Sequence, residues 1–254
     1  MNDDGARTDK VAAQVERLVT AQPAAAPEAE RVRRPFPVVA RREEGERHLA
    51  LQVEVDRQFD QAFERPGQYV TLAGEGSPPR FYAIASRIEA GRWEFLVDRK
   101  GEIGSALVDL EVGDELSVSL PEGRGFEIAQ PLGATALLFC TGSGLATVRP
   151  LVEAWLDGPK RPAEIALYYG ERRVADFAYN SLLASWQSEV GVQVHLAAEE
   201  TAQAHRYVQQ AFADAHPPLD DVYVYLSGAA VMVKLVAEEV LNRKIPVGRI
   251  KLNI

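Results

Sequence analysis

The chain has 254 residues, a formal net charge of −9 and one cysteine, Cys140. An acidic balance disfavours nucleic acid as a partner, because neutralising phosphates needs a basic surface. A lone cysteine excludes an intrachain disulfide, a cysteine-ligated iron–sulfur cluster and a structural zinc site.

Apolar residues make up 46% and charged residues 26% of the chain, as in a globular protein long enough for two domains, each with its own core. No apolar run reaches the length of a membrane span. Met1-Asn2-Asp3-Asp4 does not open a secretory signal, so a cytoplasmic protein is expected.

Residues 1–34 stand apart in composition. Val11, Val15, Leu18 and Val19 recur at helical spacing and predict a short amphipathic helix within 6–20. Ala21-Gln22-Pro23-Ala24-Ala25-Ala26-Pro27 reads as a linker. The apolar stripe is thin, so a flexible tail is expected here rather than a docked helix.

Residues 35–130 read as β structure. Leu49–Val55, Tyr69–Leu72, Phe81–Ser86, Trp93–Val97 and Glu115–Leu120 are β-branched or aromatic runs separated by Pro and Gly turn signals. Many short strands with such turns suggest a closed barrel, with Gly104–Leu110 as the one helical candidate inside it. Residues 131–254 alternate instead. Strands are expected at Ala134–Cys140, Glu164–Tyr169, Val192–Leu196, Asp221–Ser227 and Arg249–Asn253. Helices are expected at Leu145–Trp155, Asp176–Ser188, Ala202–Ala213 and Ala229–Asn242. Alternation of this kind means a parallel sheet with right-handed crossovers, doubly wound.

Two motifs carry the chemistry. In Arg80-Phe81-Tyr82-Ala83-Ile84-Ala85-Ser86, Arg80 and Tyr82 lie two apart on a strand and so share a face. A cation beside an aromatic ring suits a flat ligand bearing phosphate. Thr141-Gly142-Ser143-Gly144-Leu145-Ala146 follows a strand and opens a helix. Its glycines let the backbone approach a ligand, and the helix start favours an anion. Two nucleotide-like sites suggest electrons moving between two cofactors. Cys140 reads as a small buried hydrophobe. Met232 and Val231 read as core. His48, His195, His205 and His216 show no metal-ligand spacing, so no metal site is expected. No nucleophile elbow or carboxylate pair argues for hydrolysis.

The order of these motifs resembles the ferredoxin–NADP reductase superfamily over roughly residues 36–254. Pro66-Gly67-Gln68-Tyr69-Val70 and Arg80-Phe81-Tyr82-Ala83 are similar to its flavin strand and its R-x-Y-S/T motif. Gly101-Glu102-Ile103-Gly104-Ser105 with Leu107 is similar to its phosphate turn. Gly113-Asp114 and Gly123-Arg124-Gly125-Phe126 match its barrel-closing turns. Thr141–Ala146 resembles its nicotinamide-nucleotide glycine motif. Tyr169-Gly170-Glu171-Arg172 with Asp176 and Tyr179, Arg206-Tyr207-Val208-Gln209, and Tyr225-Leu226-Ser227-Gly228 with Met232 resemble its later stretches.

The resemblance implies a Greek-key antiparallel barrel for a flavin, FAD rather than FMN, followed by a Rossmann-like domain for NADH or NADPH. It implies an oxidoreductase passing electrons from NAD(P)H through the flavin to an acceptor, a redox protein or a small molecule. Tyr82, Ala83 and Ser227 would stand at the reacting atoms. Arg80, Tyr82, Ala83, Ile84, Gly104 and Ser105 would hold the flavin. Thr141, Gly142, Gly144, Arg172, Ser227 and Gly228 would hold the nicotinamide nucleotide. Three positions depart from the pattern: Ala83 where a hydroxyl is usual, Ser227 where a cysteine is frequent, and Thr147 where a proline is usual. Ala83 and Ser227 motivate an alternative, a non-catalytic flavin- or nucleotide-binding module acting as a redox sensor or complex subunit. Glu199 and Glu200 favour NADH by repelling a 2′-phosphate, while Arg172 and Arg173 favour NADPH.

Overall fold

The computed structural model describes residues 3–20, 31–74, 76–88, 91–99, 105–200 and 205–253. The first domain is an antiparallel six-stranded sheet. Its strands are β1 (Arg33–Glu44), β2 (His48–Glu54), β3 (Tyr69–Ala73), β4 (Arg80–Ala83), β5 (Arg92–Asp98) and β6 (Glu115–Ser119). They lie in the order β4-β3-β6-β1-β2-β5. The Ala85 N–H donates to the Glu94 carbonyl at 2.8 Å, which joins the segment after β4 to β5 and closes the barrel. Trp93, Phe95, Phe59, Phe63 and Leu51 fill its interior.

Two elements of this domain escape the sequence pattern. β1 carries Pro35 and Pro37 amid arginines, which hides a strand. Residues 33–37 pair with β6, and the β2 pairing begins only at Val38. The prolines thus fall where the strand is bonded on one side, the place a sheet tolerates them. The helix α2 (Arg57–Ala62) begins at Asp56, whose side chain accepts from the Phe59 N–H at 3.0 Å. Burial of Phe59 and Phe63 in the barrel fixes this single turn and a half. The helix expected at Gly104–Leu110 is short, α3 (Ser105–Val108), so the barrel holds two helices among the described residues.

The second domain is a parallel sheet of five strands. In chain order it comprises β7 (Thr135–Thr141), α4 (Leu145–Asp157), β8 (Glu164–Glu171), α5 (Asn180–Glu189) and β9 (Gln193–Ala198). It continues with α6 (Val208–Ala215), β10 (Val222–Ser227), α7 (Ala230–Asn242) and β11 (Ile250–Asn253). The strand order is β11-β10-β7-β8-β9. Side chains of β7 alternate between two cores. Leu138 and Cys140 pack with Trp155, Leu183 and Trp186 of α4 and α5, whereas Leu137 and Phe139 pack with Phe212 and Val233 of α6 and α7. Both faces are therefore covered, as a doubly wound sheet requires.

The first helix, α1 (Asp3–Thr20), is not a loose tail. Val15 is 2% exposed and joins the α6–α7 core, with Val11, Leu18 and Val19 packed against it. A thin stripe suffices because it lands on apolar residues of α7 rather than having to form a core alone. The linker 21–30 lies outside the described residues.

The two domains share one apolar cluster, which reaches from α4 and α5 into the barrel through Ala50, Ala85, Leu96 and Phe126. Phe126 meets Tyr225 edge-on, with ring centroids 5.2 Å apart. The hairpin between β1 and β2 docks on the 3-10 turn Val174–Asp176. There Gly45, at φ +59°, comes so close that an added Cβ would lie 2.7 Å from the Phe177 carbonyl oxygen. Among the described residues no helix is long and apolar enough to cross a membrane.

Candidate functional site

In an open α/β sheet, ligands bind outside the carboxyl ends of the strands where the strand order reverses. Here the reversal falls between β7 and β10, and β7 runs directly into Thr141 and Gly142. The turn is closely built. Thr141 Oγ1 accepts from the Ala229 N–H at 2.9 Å. Gly228 has φ +129°, and a Cβ there would lie 2.8 Å from both the nitrogen and the oxygen of Thr141. A Cβ on Gly144 would lie 2.5 Å from the Ser227 carbonyl oxygen. Packing of turn on strand thus requires a glycine at 144. Gly142 is the open one: it has φ +56° and nothing within 4 Å of where a Cβ would sit.

A cavity of about 1410 Å³ opens in front of this turn and is lined from both domains. Pockets for one small ligand run to roughly 1,000 Å³, so this volume suits two. On the barrel side lie Tyr82, Ala83, Leu96 and Asp98, together with Phe81 and Arg47. On the other side lie Thr141, Gly142, Gly144, Ser227, Gly228 and Arg172. The structure therefore brings most of the expected residues to one space. Burial, then the neighbouring Asp98, push the Tyr82 phenol up, against the pull of Arg80.

Two expected site residues lie outside the cavity lining, and one expected core residue lies in it. Ile84 does not line the cavity; its side chain is 0% exposed within the barrel core. Arg80 is exposed at the start of β4 and is not among the cavity-lining residues. Val231 is not core, for it is 67% exposed and lines the cavity, while Met232 is buried. Gly104 and the side chain of Ser105 lie outside the described residues. Cys140 is wholly buried, which pushes its thiol well up and leaves it inert. Among the described residues no group of His, Cys, Asp and Glu could hold a metal ion.

Sequence reasoning also missed contributors. Phe81 is 55% exposed, with the Arg31 guanidinium 4.9 Å from its centroid and Tyr69 edge-on at 5.3 Å. As the unspecified position between Arg80 and Tyr82 it carried no signal. Glu171, at the end of β8, accepts from the Tyr169 hydroxyl at 2.7 Å and lies 2.7 Å from His48 Nε2 of the barrel. No local pattern could announce a bond between residues so far apart in sequence.

At the far end of the cavity, Arg172 Nε donates to Glu200 at 2.7 Å. Arg173 is turned away, bonded to Asp176 and Glu46. Arg206 Nε donates to the Glu199 carbonyl at 3.1 Å, and its guanidinium lies 5.7 Å from the Tyr207 ring centroid.

The geometry defines a class: a barrel joined to a doubly wound sheet, with one cavity lined by residues of both. Residues 138–238 match the oxidoreductase NAD-binding domain family. The fruit protein pKIWI502 of Actinidia deliciosa is 31% identical over 147 residues, which are 52% of this chain and 46% of that protein. The match thus spans less than half of that relative's own length. The sulfhydrogenase 2 subunit gamma of Pyrococcus furiosus is 22% identical over 79% of this chain and 75% of its own. Among solved structures, the ferredoxin reductase in carbazole 1,9a-dioxygenase superposes with a TM-score of 0.72 at 23% identity, over 89% of this chain and 70% of that one. The chain shares the two-domain fold of these reductase structures, the fold that the resemblance implies.

Proposed function

We propose that the chain is an NAD(P)H-dependent flavoprotein reductase, with FAD against the Tyr82–Ala83 face and the nicotinamide nucleotide at the Thr141–Gly144 turn. The observation that carries this reading is that one cavity is lined from both domains by residues of both motifs. The residues present fit the groups. Gly142 leaves an open cradle of left-handed backbone at a helix start, suited to a pyrophosphate, and the aromatic Tyr82 suits a flat ring. When bound, the flavin supplies the electron-transfer chemistry. The chain supplies position and electrostatics. Tyr82 holds the ring, Arg80, exposed on the same strand, balances phosphate charge, and Ser227 offers a small polar group at the switch point. Ala83 offers no hydroxyl.

The test is an anaerobic titration of purified protein loaded with FAD. Bleaching of the yellow colour by NADH or NADPH is the expected result. A yellow protein that neither nucleotide bleaches would instead make this a binding module, as the substitutions at Ala83 and Ser227 would then explain.

Of the two donors, NADH is proposed to be preferred. The two arginines that follow β8 are engaged by acids, Arg172 by Glu200 and Arg173 by Asp176 and Glu46, while Arg206 donates its Nε to a carbonyl oxygen. Glu200→Gln releases Arg172. The pair is exposed, so the effect is about 1 kcal/mol, roughly a fivefold gain in kcat/KM for NADPH relative to NADH. Steady-state kinetics with both donors measures it. An unchanged ratio would show that Arg172 does not read the 2′ position.

A further inference from the structure

The barrel wall of the cavity carries a charged pair that neither motif includes. Arg47, at the tip of the β1–β2 hairpin, donates through Nε and Nη2 to one oxygen of Asp98, at 2.9 and 2.6 Å. The Arg99 N–H donates to the Arg47 carbonyl at 2.7 Å, and His48 pairs with Asp98 across the ladder, so the backbone of both residues is fixed. Along β5, Asp98 shares a face with Leu96, two residues before it. Leu96, Asp98, Arg47, Tyr82 and Ala83 all line the cavity.

We propose that Arg47 and Asp98 set the redox poise of the bound flavin, Arg47 raising its reduction potential and Asp98 lowering it. The inference rests on the reading of the Tyr82–Ala83 face as the flavin site. Two-electron reduction with uptake of one proton leaves the isoalloxazine with one more negative charge than it carries when oxidised. The electrons come from a dihydronicotinamide, which gives up a hydride and becomes the cationic nicotinamide. A fixed cation beside the ring therefore favours the reduced form, and a fixed anion favours the oxidised form. Asp98 reaches that place electrically, since its charge acts on the Tyr82 phenol. The acids across the domain boundary, Glu171 and Asp176, act on Arg47 as well. Its cation is thus opposed from both sides, and removing one acid leaves it less compensated. Both side chains are about a third exposed, at 31% and 30%, so salt weakens the effect without abolishing it.

The experiment measures the midpoint potential of the FAD-loaded protein by anaerobic reduction against a reference dye, together with the affinity for oxidised FAD. Asp98→Asn is expected to tighten reduced relative to oxidised flavin about tenfold, raising the two-electron potential by about 30 mV. Arg47→Gln is expected to lower it by a similar amount, and the charge-preserving Arg47→Lys to leave it close to the starting value. Potentials that do not move in flavin-loaded Asp98→Asn and Arg47→Gln would reduce the pair to a surface ion bridge and overturn the proposal. An unaltered protein that binds no FAD would overturn the flavin site itself, a distinct failure. If Arg47→Gln does not fold, Asp98→Asn, nearly isosteric, decides the matter alone.

Discussion

Replacing Gly228 by alanine is expected to destabilise the protein by about 2–6 kcal/mol and to weaken nicotinamide-nucleotide binding at least about tenfold. Two costs add. At φ +129° a residue with a Cβ sits in backbone space open essentially to glycine, worth about 1–3 kcal/mol of strain. The new Cβ would also lie 2.8 Å from the backbone nitrogen and oxygen of Thr141, which are not flexible side-chain ends. Overpacking of this kind costs typically about 1–3 kcal/mol. Relief requires β10 and the end of β7 to separate, which widens the switch-point crevice and breaks the bond from Ala229 to Thr141 Oγ1. Urea denaturation measures the stability, and calorimetric titration with NADH the binding. Gly142→Ala is the control: it shares a left-handed φ, +56°, but meets nothing within 4 Å, so it should lose only the conformational cost, about 1–2 kcal/mol. Equal losses in the two variants would show that strain alone, not the close approach to Thr141, governs the turn.

How much of this was legible follows from which signals are local. The β7 turn announces itself, because an apolar strand run, two glycines and a helix start are contiguous. The five parallel strands and their helices likewise follow from alternation over short windows. What could not be read is carried by contacts between distant segments. β1 was hidden by Pro35 and Pro37, whose tolerance depends on the one-sided pairing of residues 33–37. The docking of α1 depends on the outer stripe of α7. Ile84, expected at the site because it follows Tyr82 and Ala83, sends its side chain into the barrel core, a direction that long-range packing decides. Arg47 and Asp98 reached the cavity through hairpin and ladder geometry, with no motif to mark them.

Arg149→Met is expected to cost about 3–5 kcal/mol at neutral pH, the scale for removing one partner of a buried charge pair. Arg149 of α4 reaches across the domain boundary to Glu94 of β5, whose side chain is 2% exposed. It also bonds Glu153 at 3.0 Å and lies 4.5 Å from the Tyr179 ring centroid. Tyr179 completes the junction. Held at φ +55°, it donates its N–H to Glu44 and its hydroxyl to Glu94, both of the barrel, each at 2.7 Å. Methionine keeps much of the volume and removes the charge. The pH dependence gives the sharper test. Burial alone would raise Glu94, but Arg149, with Gln52, Tyr179 and Arg42, holds it below its ordinary 4.5. The unfolded chain then binds more protons than the folded one in the window below 4.5. The stability contributed is therefore complete above that pH and is lost as pH falls through the folded value. Without Arg149, burial faces Arg42, 3.5 Å away, as the remaining cation. The folded pKa is then expected to rise above the unfolded one and the sign to reverse: the variant should gain stability as pH falls toward 4.5, where the unaltered protein gains none. Urea denaturation of both proteins across the acid range measures the two slopes. Parallel slopes would mean that Arg42, Gln52 and Tyr179 hold the carboxylate unaided, and that Arg149 contributes only packing between the domains.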